Sequence, residues 1–143
     1  MILFCDTSAL VKLYINENSS DLMLSLAGSA SAIAVCRVAW AEAMAALARR
    51  VRENPTDAEV IEAVRTRLRG DWPRYAIIEV TQSLVDMAGE YADTFALRGY
   101  DSVQLAAARI LQQEAGEELH FACFDIRLQR SAKVLGMLTL AAQ

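Results

Sequence analysis

The chain is 143 residues long, 55% hydrophobic and carries a formal charge of −4, which fits one domain with a proper core and excludes disorder. Its longest uncharged run, residues 22–36, contains serines and a glycine and is too short and too polar to cross a membrane. An acidic balance argues mildly against a nucleic-acid partner, because backbone phosphates attract cations.

Asp6 interrupts the apolar stretch ILFC so early that no signal-peptide core is expected. Cys5, Cys36 and Cys123 lie far apart and make no zinc spacing. An odd cysteine count without an export signal suggests reduced thiols in a cytoplasm. No repeat, linker or low-complexity segment divides the chain, so residues 1–143 are expected to form a single domain.

In chain order, ILFC (residues 2–5) reads as a short apolar strand and TSALVKLYI (7–15) as a helix. Ser19 or Ser20 can cap a second helix ending at Gly28, and AIAVC (32–36) reads as strand two. The next helix contains RVAWAEAMAALARR and is terminated by Asn54-Pro55. Thr56 can cap another helix, to Gly70, and YAIIEV (75–80) reads as strand three. Leu84, Met87, Ala88, Tyr91 and Phe95 mark a helix ending at Gly99. Val103, Ala106, Ala107, Ile110 and Leu111 mark one ending at Gly116. Both glycines are expected to be left-handed caps. HFACF (120–124) is strand four, a helix runs from Asp125 to about Leu135, and MLTL (137–140) is strand five. Strands that are apolar on both faces and mostly separated by helices imply an α/β fold, a three-layer α/β/α sandwich around a mainly parallel five-stranded sheet.

Glu42 is the odd residue in this pattern. It sits among alanines, Trp40, Met44 and Leu47, with no cation after it until Arg49. A second-turn glutamate is not a cap, and an unpartnered buried charge is expensive. It can also point outward, or pair in the fold with Arg37 or Lys12. Asp6 and Asp125 directly follow strands one and four, and ligands of open α/β sheets bind beyond the carboxyl ends of the strands. Asp101 opens the helix in YDSVQLAAA, and Glu42 lies early in the helix after strand two. Each aspartate also has a purely structural reading as a helix cap, with Asp101 and Gln104 forming a capping box. One shared site explains all four acids together.

Carboxylates crowd together when a cation neutralises them, and Mg²⁺ or Mn²⁺ prefers such hard oxygen ligands. Four acids holding one or two such ions leave the rest of the chain at zero formal charge, which readmits a nucleic-acid substrate. Oxygen-rich metal sites perform phosphoryl transfer by activating water, and Ser8 can support Asp6 with a hydroxyl. Seven of the 14 basic residues fall between 49 and 74, offset there by five acids. That segment reads either as two solvated helix faces or as an RNA-contacting flank of Arg65, Arg67, Arg69 and Arg74, with Trp72 or Tyr75 for stacking.

ILFCDTSALVKLY resembles the opening motif of the PIN-domain ribonucleases, in particular the VapC-type toxins of bacterial toxin–antitoxin pairs. VAWAEAMAAL, LRGYDSVQLAAA and FACFDIRLQRSAKVLGM are similar to that family's later blocks, in the same order across residues 2–137. The resemblance implies a metal-dependent endoribonuclease that uses activated water and leaves 5′-phosphate and 3′-hydroxyl ends. It assigns Mg²⁺ or Mn²⁺ to Asp6, Glu42, Asp101 and Asp125, with Ser8 assisting. It further implies a homodimer inhibited by a cognate antitoxin. Cys123 stands where the family often has Thr or Ser, which puts a hydroxyl role there in doubt. Cys5 and Cys123 are expected to be core thiols, near neighbours if strands one and four pair. His120 is expected to be structural or on the surface.

Two other classes remain open at this level. A catalytically inactive scaffold of the same fold would bind RNA or a protein partner, although retention of all four acids counts against it. A phosphoacceptor receiver or phosphatase-like domain also gathers aspartates at strand ends. It requires an acidic pair after strand one and an opposing lysine, whereas here Asp6 stands alone and Lys133 lies inside a helix.

Overall fold

The computed structural model describes residues 1–140, so the last three residues of the expected domain lie outside the described residues. Ile2–Cys5 forms β1, the central strand. It pairs in parallel with β2 (Ala32–Cys36) on one side and β4 (Leu119–Ala122) on the other. β3 (Ala76–Ile78) extends the sheet beyond β2, and β5 (Leu138–Thr139) extends it beyond β4. The order is β3-β2-β1-β4-β5, parallel throughout.

Alternation along β1 builds two cores. Leu3 and Cys5 point into a layer formed by α1 (Thr7–Lys12), α2 (Ser20–Ser29), α3 (Ala39–Glu53) and α4 (Ala58–Asp71). Phe4 points the other way, into α5 (Gln82–Phe95), α6 (Gly99–Glu114) and α7 (Ile126–Val134). Its ring stacks on Phe121 of β4 with centroids 5.4 Å apart. Three consecutive residues of β1 are fully buried, as a strand covered on both faces requires. The expected three-layer α/β/α sandwich is the observed architecture. Among the described residues no helix is long and apolar enough to cross a membrane.

From β1 the chain winds outward through β2 to β3, then returns through α5 and α6 to place β4 on the other side of β1. The winding direction reverses between β1 and β4, the position where α/β sheets open a crevice at their carboxyl ends.

Several local expectations need correction. α1 ends at Lys12, short of the expected residue 15, because Leu13 and Tyr14 close a tight turn onto Leu10 and Val11. Neither Gly99 nor Gly116 is a left-handed cap: Ala96 closes α5 at φ 54°, while Gly99 opens α6. Thr56 caps no helix, since it lies in a 3₁₀ turn and its hydroxyl donates to Asn54 Oδ1 at 2.7 Å. Neither serine caps α2 through its side chain. Ser19 takes the N-cap position without a side-chain bond, and the Ser20 hydroxyl serves the preceding loop instead. Cys5 and Cys123 are both buried free thiols, but they sit on opposite faces of the sheet. His120 is buried in β4 with no partner for Nε2.

Gly136 is the position where a glycine is required, at φ +84° in the turn between α7 and β5. Gly136→Ala is expected to lose about 1–2 kcal/mol to the left-handed conformation. Gly89, inside α5 with open space around it, provides the opposite sign: Gly89→Ala should gain roughly 0.5–1 kcal/mol. Urea denaturation of the two variants checks both.

Candidate active site

All four acids singled out from the sequence line one cleft of about 570 Å³ at the carboxyl edge of the sheet. Each stands at the start of a helix. Asp6 is the N-cap of α1 and Asp125 the N-cap of α7. Glu42 and Asp101 lie in the first turns of α3 and α6. Glu42 is thus one turn earlier in its helix than its sequence context suggests. First-turn N–H groups carry partial positive charge, which favours carboxylates at all four positions.

Their hydrogen bonds hold one oxygen of each key group. Asp6 Oδ1 accepts from the Ala9 backbone N–H at 2.9 Å and the Ser8 hydroxyl at 2.8 Å. Asp125 Oδ1 accepts from the Leu128 N–H at 2.9 Å. Capping and site membership are therefore compatible for these two aspartates, one oxygen serving each. Glu42 Oε1 accepts from the Thr7 hydroxyl at 3.0 Å and the Gln104 amide at 3.1 Å. The expected capping box between Asp101 and Gln104 does not form. Gln104 instead reaches across to Glu42 from α6, and its own Oε1 is buried without a partner.

Asp6 is the most enclosed of the four, at 8% exposure. Burial pushes its pKa up to about 6, nearby Asp101 and Glu42 push in the same direction, and the bonds from Ala9 and Ser8 oppose them. Arg98 is the cation nearest the aspartates. Its Nε lies 3.2 Å from Asp101 Oδ2 and its Nη2 lies 3.7 Å from Asp125 Oδ2, with the side chain 81% exposed. So exposed a pair holds weakly.

The donor set facing the cleft suits a hard divalent cation: carboxylates and hydroxyls, with no cysteine or histidine among the described lining residues. Among the described residues, no three potential ligands stand close enough to form a finished cage. Arg98 spans two of the carboxylates instead. Cys123 contributes only to the core, where burial pushes its thiol up and Sγ lies 3.7 Å from the Asp125 carbonyl.

Arg65, Arg67, Arg69 and Arg74 do not line this cleft. Arg65 pairs with Glu62, and Arg67 lies over the Tyr14 ring. Trp72 packs edge-on against Trp40 and Tyr75. The cations that do line the cleft are Lys12, Arg50 and Arg98. A helical signal pointed to two of them: Lys12 follows Ser8 by four residues, and Arg50 follows Glu42 by eight. Thr7 and Gln104 were also missed as site residues. Thr7 sits between two residues already singled out, and Gln104 is a polar residue on a buried, alanine-rich helix face.

The chain belongs to the PIN domain family, whose model matches residues 3–133. It is 33% identical over 143 residues to Ribonuclease VapC45 of Mycobacterium tuberculosis, covering 99% of this chain and 96% of the relative. It is 29% identical to Ribonuclease VapC46 of the same species, covering 97% and 96%. Two solved structures share the fold at 15% identity. VapBC2 from Rickettsia felis, bound to a promoter DNA fragment, gives a TM-score of 0.63 with 98% of each chain covered. FitAcB from Neisseria gonorrhoeae gives 0.63 with 97% and 96% covered.

Keeping Asp6 ionised at neutral pH costs the metal-free fold on the order of 3 kcal/mol. A raised carboxyl pKa stabilises the protonated fold at low pH, and that contribution disappears as pH rises through about 6. In EDTA, Asp6→Asn should therefore melt above the parent at pH 7–8, with the advantage fading toward pH 4. Thermal melts across that range test this, and a difference independent of pH would contradict it.

Proposed function

We propose that this chain is a divalent-cation-dependent endoribonuclease and the toxin of a toxin–antitoxin pair. The observation that carries this reading is the convergence of Asp6, Glu42, Asp101 and Asp125, from four separate segments, on one cleft. The names of its full-length relatives support ribonuclease activity. The four carboxylates would hold Mg²⁺ or Mn²⁺, one or two ions. When bound, the cation activates water and stabilises the leaving oxygen of the RNA phosphodiester. Hydrolysis in this sense leaves 5′-phosphate and 3′-hydroxyl ends.

The protein's own residues orient that set. Ser8 and the Ala9 N–H fix Asp6 through Oδ1, and the carboxylate so held would serve as a ligand. Thr7 and Gln104 do the same for Glu42 through Oε1. Such supporting bonds typically change metal affinity or activity 10–100-fold when removed. Arg98 holds Asp101 and Asp125 in the metal-free arrangement, so a cation competes with it for those two carboxylates. An antitoxin partner presenting a cation to the same carboxylates would inhibit by the same chemistry. A homodimeric state completes this reading.

Purified protein incubated with total bacterial RNA and Mg²⁺ or Mn²⁺ should give discrete cuts with 5′-phosphate ends, identified by sequencing the cleaved termini. EDTA and Glu42→Gln should each abolish them, with the variant's fold preserved by circular dichroism, and Thr7→Val should slow cleavage about 10-fold or more. Cuts that survive in Glu42→Gln would refute the site. RNA left intact under every condition would favour the scaffold.

A further inference from the structure

One wall of the cleft carries Lys12, Glu17 and Arg50, three side chains that the proposed hydrolysis leaves without a task. Lys12 ends α1, Arg50 lies in α3, and Glu17 stands in the loop before α2. Lys12 Nζ lies 3.2 Å from Glu17 Oε1, and Arg50 pairs with Oε2. Each carboxylate oxygen thus has its own cation. The Lys12 side chain is only 15% exposed, and its ammonium lies 4.7 Å from the centroid of the Phe124 ring. Phe124 also lines the cleft and directly precedes Asp125.

The loop has ties that do not use the Glu17 carboxylate. Its backbone N–H donates to Ser20 Oγ at 3.0 Å, and that hydroxyl donates to the Ile15 carbonyl at 3.0 Å. The loop is tied through buried Ser20, whichever way the Glu17 carboxylate points. Glu42, Ala46 and Arg50 follow one another at four-residue spacing on one face of α3, and all three line the cleft. Eight residues of helix place Glu42 and Arg50 about 12 Å apart along the axis, so a phosphate at Arg50 would be a different one from that at the carboxylates. The small Ala46 side chain keeps the path between them open.

We infer that Lys12 and Arg50 form a second phosphate-binding subsite for the RNA backbone, filled in the substrate-free protein by the Glu17 carboxylate. This rests on the ribonuclease reading. A phosphodiester offers a guanidinium the same pair of acceptor oxygens as a carboxylate. An incoming phosphate replaces each ion pair to Glu17 with another, so displacing the carboxylate leaves neither cation unpaired. The subsite also offsets the repulsion between RNA and the acidic centre, and it selects a chain of phosphates over a single one.

The test is fluorescence anisotropy of a labelled single-stranded RNA with Mg²⁺ across a salt series, in a Glu42→Gln background to prevent cleavage. Arg50→Ala and Lys12→Gln should each weaken binding several-fold and reduce the salt slope by about 0.7, the loss of one phosphate contact. Glu17→Gln should tighten binding several-fold with an unchanged melting temperature. A purely structural triad predicts instead a lower melting temperature in Glu17→Gln and an unmoved salt slope. Affinity and slope unchanged in all three variants, with the background protein binding RNA, would overturn the subsite alone. No RNA binding by the background protein or any variant, with parent cleavage also absent, would overturn it together with the ribonuclease reading.

Discussion

The gathering of Asp6, Glu42, Asp101 and Asp125 in one partly buried cleft is the constraint that the surrounding structure answers. Taking carboxylates out of water raises their cost of ionisation: burial first, with nearby Asp101 and Glu42 adding to it, pushes the pKa of Asp6, the most enclosed, up to about 6. The structure offsets that cost locally. Every one of the four acids stands at a helix start, where unpaired N–H groups favour negative charge. Three of them accept from a backbone N–H, a hydroxyl or an amide. The exposed Arg98 supplies only a weak bridge between Asp101 and Asp125.

Core and site share the same strand. β1 is buried on both faces because helices cover both sides of the sheet, and its last residue leads directly into Asp6. Its pairing with β4 continues one residue past the strand, where the Asp6 N–H donates to the Ala122 carbonyl at 3.1 Å. The backbone of the most buried carboxylate is therefore fixed between the two central, buried strands β1 and β4. The reversal of winding between β1 and β4 opens the crevice there. Gln104 adds a tie between layers, because it reaches from α6 on one side of the sheet to Glu42 of α3 on the other.

Much of this was legible in the sequence, for specific reasons. Apolar runs such as ILFC declare a doubly covered strand, and an acid directly after such a run lies at the sheet edge whatever the rest of the chain does. Glu42 is conspicuous as the one charge within the apolar run from Val38 to Ala48. Partners chosen across the fold were not legible. Asp101 and Gln104 have the spacing of a capping box, yet a long-range acceptor on Glu42 won over the local one. Glycines at expected helix ends were overridden: Ala96 takes the left-handed conformation that closes α5, and α6 closes at Ala115 in an extended one. The arginines of residues 65–74 attracted attention by number, whereas the cleft is lined by Lys12, Arg50 and Arg98. Counting charge along a chain does not reveal which face it lands on. Helical spacing from Ser8 and Glu42 points to Lys12 and Arg50.

The most direct measurement is anomalous diffraction from crystals soaked in Mn²⁺. A peak in the cleft bounded by Asp6, Glu42, Asp101 and Asp125, with Arg98 displaced from Asp101 and Asp125, is the expected result. Mn²⁺ bound elsewhere on the protein, or a cleft without a peak at millimolar concentrations, would contradict the assignment of these four carboxylates to a cation.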